Sequence, residues 1–291
     1  MAPPNFADLY KPVKDLLTKK YNGDSHKIDL KAKDVVTFNP VFTRDAAGAV
    51  SATAAVEGNY QPCDWCLLKL KYTITTNGHL KTNVKAEKLA PDFALEGNWD
   101  AALGGNIAQD TYDLTAKYAT KSVNAEAKVV KGKGSTSDLS IVYAALPDLN
   151  LGASLLYDIG SRSNKSLGLG ASYACSAKTS ISTTLQRDFA SDGIRDTVKA
   201  GFVTKGSPYT FGGEYSTSLQ DLKKGVIIAG METTLEGGQI LKSKICTKGN
   251  LGLSFQHNLN KQIKLCSSLE LSAAKEGAWA SKFGTEIIYE G

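Results

Sequence analysis

From His26 onward the chain is a succession of short segments in which apolar and polar residues alternate with a period of two. In Leu80 to Glu87, Leu80, Thr82, Val84 and Ala86 alternate with Lys81, Asn83, Lys85 and Glu87. In Leu149 to Asp158, Leu149, Leu151, Ala153, Leu155 and Tyr157 share one face, opposite Asn150, Gly152, Ser154 and Asp158. Ser166 to Tyr173, Ile194 to Val203 and Gln262 to Leu271 repeat the pattern. Such alternation specifies β-strands with two unlike faces. A soluble sandwich would turn the apolar faces inward. A membrane barrel would turn them outward. The segments suit a tilted membrane strand, at about 9 to 11 residues. Tyr and Trp sit near segment ends, as in an interfacial girdle. The turns are short and follow one another without helical crossovers, as in an up-and-down barrel. These features favour the barrel.

The expected strands are 26–33, 35–43, 49–60, 66–76, 80–87, 92–100, 110–118, 121–130, 137–144, 149–158, 165–174, 178–187, 194–203, 208–216, 226–235, 239–247, 250–257, 262–271 and 280–289. That is about 19, with ends uncertain by roughly 2 to 4 residues. An odd count forces the first and last strands to close in parallel. Pro40 interrupts the second segment, and 92–100 alternates poorly.

One stretch reads as helix. Across Pro3 to Tyr21, Phe6, Leu9, Tyr10, Val13, Leu16, Leu17 and Tyr21 recur at helical spacing. Asp8, Lys11, Lys14, Asp15, Lys19 and Lys20 fill the other face. Pro12 lacks a donor N–H and pushes Lys11 from helical geometry. The expectation is a short first turn, a break, and a second piece beginning at Pro12. Such a helix must lie on a membrane surface or inside a barrel. The division is 1–24, the helix, and 25–291, the barrel. A cleaved presequence would be Arg-rich and acid-poor; this segment has no Arg and carries Asp8 and Asp15.

Composition narrows the function classes. The longest apolar runs, such as Val226 to Met231, fall far short of a membrane helix. The net charge is +5, from 34 basic and 29 acidic residues, with no polybasic block, which argues against a nucleic-acid partner. With apolar faces outside, Lys69, Lys71, Lys81, Lys85, Lys199 and Lys264 point into the lumen, joined by the helix lysines. Such a lumen attracts chloride, phosphate and nucleotides without holding them.

Catalytic and metal motifs are sparse. Cys63-Asp64-Trp65-Cys66 could be a redox pair, half a zinc site, or an ordinary hairpin loop after Pro62. No second CxxC completes a four-ligand set. The five cysteines are an odd number, so reduced thiols are expected. His26, His79 and His257 are scattered. Gly168-Leu169-Gly170 lies inside an alternating strand and is no dinucleotide fingerprint. The reading is a non-enzyme without cofactor or metal.

Two stretches carry a resemblance. Pro3-Pro4, Phe6-Ala7-Asp8-Leu9, Lys11, Asp15-Leu16, Thr18-Lys19 and Tyr21 resemble the start of the voltage-dependent anion channels, the mitochondrial outer-membrane porins. Lys282, Gly284, Ile287 and Tyr289 resemble the C-terminal sorting signal of mitochondrial barrels. Nineteen strands is also the count of this family. The resemblance implies a voltage-gated, weakly anion-selective channel of the mitochondrial outer membrane. Its permeants are ATP, ADP, phosphate and small ions; its partner is membrane lipid. It implies gating through the helix, here Asp8, Leu9, Lys11, Val13, Lys14, Asp15, Lys19 and Lys20. A homo-oligomer and a subunit of a membrane complex both stay open. The alternatives are a protein-import pore of the related translocase family and a barrel kept as a structural subunit. The chain is a divergent member. The glycine-rich hinge after the helix is reduced to Gly23, no acid stands near Tyr72, and no Gly-Leu-Lys element is evident around Phe93 to Asn98.

Overall fold

A computed structural model describes residues 2–64, 66–105, 110–132, 134–190, 193–273 and 279–291. After one 3-10 turn (Phe6–Asp8) comes helix α1 (Lys11–Thr18). The strands are β1 (His26–Lys33), β2 (Thr37–Arg44), β3 (Val50–Cys63), β4 (Cys66–Thr75), β5 (His79–Ala90), β6 (Phe93–Ala102), β7 (Thr111–Ala119), β8 (Val123–Lys131), β9 (Thr136–Leu146) and β10 (Leu149–Asp158). They continue with β11 (Ser163–Ala174), β12 (Thr179–Ala190), β13 (Gly193–Lys205), β14 (Tyr209–Ser218), β15 (Asp221–Thr234), β16 (Ile240–Cys246), β17 (Asn250–Asn258), β18 (Ile263–Ala273) and β19 (Trp279–Glu290).

All 19 strands form one sheet, each paired with its chain neighbours. The sheet closes where β1 runs parallel to β19, from His26 opposite Thr285 to Lys31 opposite Glu290. Parallel closure is what an odd strand count demands. Closure leaves no sheet edge with unpaired backbone groups, the condition for a sheet in hydrocarbon. The seam is extended by Gly291 N–H donating to the Lys31 carbonyl at 2.8 Å.

Register fixes the two faces. Asn150, Gly152 and Ser154 of β10 lie level with Ala144, Val142 and Ser140 of β9 and with Ser172, Gly170 and Gly168 of β11. Their neighbours Leu139, Ile141 and Tyr143 point the other way and are 46%, 49% and 51% exposed. The same inversion recurs from Ile28, Phe38 and Phe42 to Phe255, Phe283 and Ile287. A continuous band of exposed apolar side chains this large marks a membrane surface. No described helix is long and apolar enough to cross a membrane.

The N-terminal segment runs through the interior. Asn124 of β8 donates to the Pro3 carbonyl at 3.0 Å, and Asn22 N–H donates to Ser268 of β18 at 2.9 Å. By way of β9 to β17, ten strand spacings separate β8 from β18, roughly 48 Å of wall, and nine by way of the β19–β1 seam. Between those points the segment stays against the inner wall, seated over Gly152 of β10, Gly201 of β13, Gly230 of β15 and Gly252 of β17.

Two local expectations need adjustment. The helix begins at Lys11, with Pro12 second, one residue before the expected start. Strand β15 begins at Asp221 rather than 226, because a register shift between Ser216 and Ser218 lets residues 221–225 rejoin the sheet. There Tyr215 Oη donates to the Leu222 carbonyl at 2.6 Å. Pro40 sits within β2. The Leu30 carbonyl across from it accepts from the Asn39 side chain at 2.7 Å, replacing the donor that proline lacks.

Candidate functional site

The site is the lumen, and its shape is set by the seat of the helix. Leu9, Val13, Leu16 and Leu17 are buried against the wall. They rest on positions where the inward residue is glycine. A Cβ at Gly152 would lie 2.8 Å from Leu9, at Gly201 2.8 Å from Val13, and at Gly230 2.6 Å from Leu17. Gly252 takes the Tyr21 ring at 3.1 Å, and Gly284 takes the Asn22 backbone. These glycines lie on β10, β13, β15, β17 and β19 and let an apolar helix face sink into a polar wall.

The C-terminal end of the helix is held by charge. Lys242 is 3% exposed. Its ammonium donates to the Asp15 carbonyl at 3.1 Å and the Lys19 carbonyl at 3.3 Å, and pairs with Glu232 at 3.3 Å. Free carbonyls and the negative end of the dipole make a helix C-terminus a natural place for a cation. Lys244 lies 4.0 Å from the Tyr21 ring centroid and pairs with Glu270 at 2.6 Å. Beyond the helix, Glu286 joins Lys20 at 2.8 Å and Lys27 at 3.1 Å, tying the linker to the parallel seam. Where only Gly23 remains as hinge, polar contacts hold the chain.

The helix residues divide by face. Leu9 and Val13 seat it. Asp8 and Lys11 pair at 3.2 Å, and Asp15 and Lys19 at 3.9 Å, on the lumenal side. Lys14 makes no ion pair among the described residues and lines a cavity of about 630 Å³ with Lys199, Lys244 and Lys282. Tyr10 borders it too. Burial first, then the Glu214 carboxylate, push its phenol pKa up.

The six wall lysines all share the lumenal face in register, and each has a carboxylate partner. Lys69 and Lys85 meet Glu87 at 2.8 and 2.5 Å. Lys71 meets Glu57 at 2.5 Å, Lys81 meets Asp100 at 3.1 Å, Lys199 meets Glu214 at 4.0 Å and Lys264 meets Glu290 at 3.0 Å. They do not converge on one point. The lumen is a mesh of alternating charges with a small cationic surplus.

On β19, Lys282 and Gly284 face inward, while Ile287 and Tyr289 face the apolar belt. Cys63 and Cys66 stand opposite each other at the β3–β4 hairpin as free thiols, and Trp65 lies outside the described residues. No group of His, Cys, Asp and Glu among the described residues could hold a metal ion. Sequence reading missed Lys242, Glu286 and the glycine row. Gly168 and Gly170 on a polar face were the visible signal of the last.

A family model described as eukaryotic porin matches residues 2–284. A Drosophila melanogaster protein named voltage-dependent anion-selective channel is 24% identical over 306 aligned residues, with 100% of each chain covered. Among solved structures, a triple mutant of the Rh. blastica porin is 9% identical, covers 87% of this chain and 91% of its own, and superposes with a TM-score of 0.53. Another mutant of that porin, 8% identical, covers 92% and 98% with a TM-score of 0.52. At such identity these structures support the barrel fold alone.

Proposed function

Because the chain belongs to the eukaryotic porin family, a family of membrane channels rather than enzymes, we propose that it is a voltage-gated, weakly anion-selective channel. It passes small ions and metabolites such as ATP, ADP and phosphate across the mitochondrial outer membrane. The observation that carries this reading is the lumen. Its wall lysines are matched by carboxylates, while Lys14 on the helix and Lys282 on β19 have no carboxylate partner among the described residues. A near-balanced lining with a few free cations favours anions mildly and binds none tightly, as conduction requires. Likeness to a voltage-dependent anion-selective channel supports the gating and the selectivity. In this reading residues 1–24 are the gate and 25–291 the barrel. Lys282, Gly284, Ile287 and Tyr289 serve as the sorting signal.

The test is a planar-bilayer recording of the purified protein under a salt gradient. Large, weakly anion-selective steps that fall to a lower conductance at either polarity are expected. Cation preference with block by a basic presequence peptide would instead mean an import pore. Absence of current from inserted protein would mean a structural subunit. Replacing both Leu9 and Val13 with Asp is expected to free the helix and change the voltage dependence.

A further inference from the structure

The lipid-facing belt is not uniform. Across β7 to β10, Ala116, Ala125, Ala127 and Ala153 share the outer face and leave a trough of about 450 Å³ in it. Leu139 and Ile141 of β9 stand between Ala125 and Ala127 on one side and Ala153 on the other, and Leu167 bounds it on β11. Phe93 and Tyr118, opposite each other in register at one end of the barrel, close it toward the rim. The trough is lined almost wholly by apolar atoms.

Its rim end is charged. A register shift between Glu87 and Ala90 puts Lys88 in a bulge with φ 66°, a geometry that re-aims a side chain. Lys88 lines a second cavity, of about 610 Å³, that shares Phe93 with the trough. Lys121 lies in the next turn, between β7 and β8. The two turns are joined where Ala119 N–H donates to the Asp92 carbonyl at 2.8 Å. Lys88 and Lys121 are both exposed, and neither makes an ion pair among the described residues.

We propose that this face is a binding site for one anionic phospholipid. An acyl chain lies in the alanine trough, and the phosphate sits at the rim between Lys88 and Lys121. The trough is continuous with a surface already bathed in lipid, so hydrocarbon is its natural occupant. Basic groups at headgroup level select the anionic species. A second copy of the chain fits less well. A recess needs a matching ridge, and a twofold contact must present the same patch from both sides.

The experiment uses the full chain in liposomes with phosphatidylglycerol carrying a diazirine on one acyl chain, photolysed and mapped by mass spectrometry. Labels should concentrate in 116–127 and 139–155. Ala127→Phe fills the trough and should cut that labelling about ten-fold. Ala229→Phe, on the outer face of β15, should not. Lys88→Gln with Lys121→Gln should lower labelling by phosphatidylglycerol and leave labelling by diazirine phosphatidylcholine unchanged. Unchanged bilayer conductance of each variant reports an intact barrel. Labels spread over the belt in proportion to exposed area would overturn the site. So would indifference to Ala127→Phe, or a trough shielded by cross-linked dimers.

Discussion

Lys242, on the wall, caps the helix from outside it: its ammonium donates to the Asp15 carbonyl at 3.1 Å while 227 residues separate them in sequence. One buried cation thus serves the helix end, the Glu232 carboxylate and the edge of the lumen. Lys242→Met keeps the stem and deletes the charge. Each hydrogen bond from a charged donor is worth roughly 1.5–3 kcal/mol. The helix should therefore open at least ten-fold more often. Hydrogen exchange of the peptide spanning 11–18 reads this directly; protection equal to the parent protein would mean that the cap is idle.

The glycine row makes a steric prediction. Gly230→Val places methyl groups where Leu17 now rests and should cost about 1–3 kcal/mol through overpacking. Adding Leu17→Ala should return part of the loss, because the two changes share one space. Gly97 on β6 has nothing within 4 Å of its would-be Cβ. Gly97→Ala should leave stability at the parent value or slightly above it. Denaturation of detergent-solubilised protein separates these variants.

The contrast between those glycines explains what the sequence reveals and what it hides. Alternation across Leu149–Asp158 and Ser166–Tyr173 is local, so strand existence and facing are written within each strand. That Gly168 and Gly170 are inward follows from Leu167 and Leu169 being outward. Their purpose is not local: it needs Phe6 and Leu9, more than 140 residues away, to arrive there. The partners of the wall lysines are hidden for the same reason. Lys71 meets Glu57 and Lys69 meets Glu87 only through the registers of β3–β4 and β4–β5. A count of lysines therefore suggested a more basic lumen than the paired one observed.

Selectivity should follow net lumenal charge near the helix. Lys14→Glu and Lys282→Glu each remove a cation unmatched among the described residues and add an anion. Each should move the reversal potential under a salt gradient toward cation preference. Replacing the Lys71–Glu57 pair by two glutamines leaves net charge unchanged, so selectivity should stay close to the parent value. The shifts should shrink at high salt, where the Debye length falls to roughly 3 Å at 1 M. A double-glutamine variant as cation-preferring as Lys14→Glu would show that local fields outweigh the net balance.

Tyr10 links the seat of the helix to alkaline pH. Burial and, next, Glu214 raise its phenol pKa, while an exposed tyrosine titrates near about 10. Tyr21 is raised for the same leading reason, with Glu270 and Glu232 adding to it. Between the unfolded and folded values the native state binds more protons than the unfolded one, so stability falls as pH rises. The contribution of each phenol is complete below about pH 10 and is lost progressively above it. Phenolate absorbance should show two tyrosines that resist titration until the helix detaches. Tyr10→Phe should remove one of them and flatten the alkaline loss of helix protection. If both phenols ionise with the exposed tyrosines while the helix stays protected, the wall does not shield them.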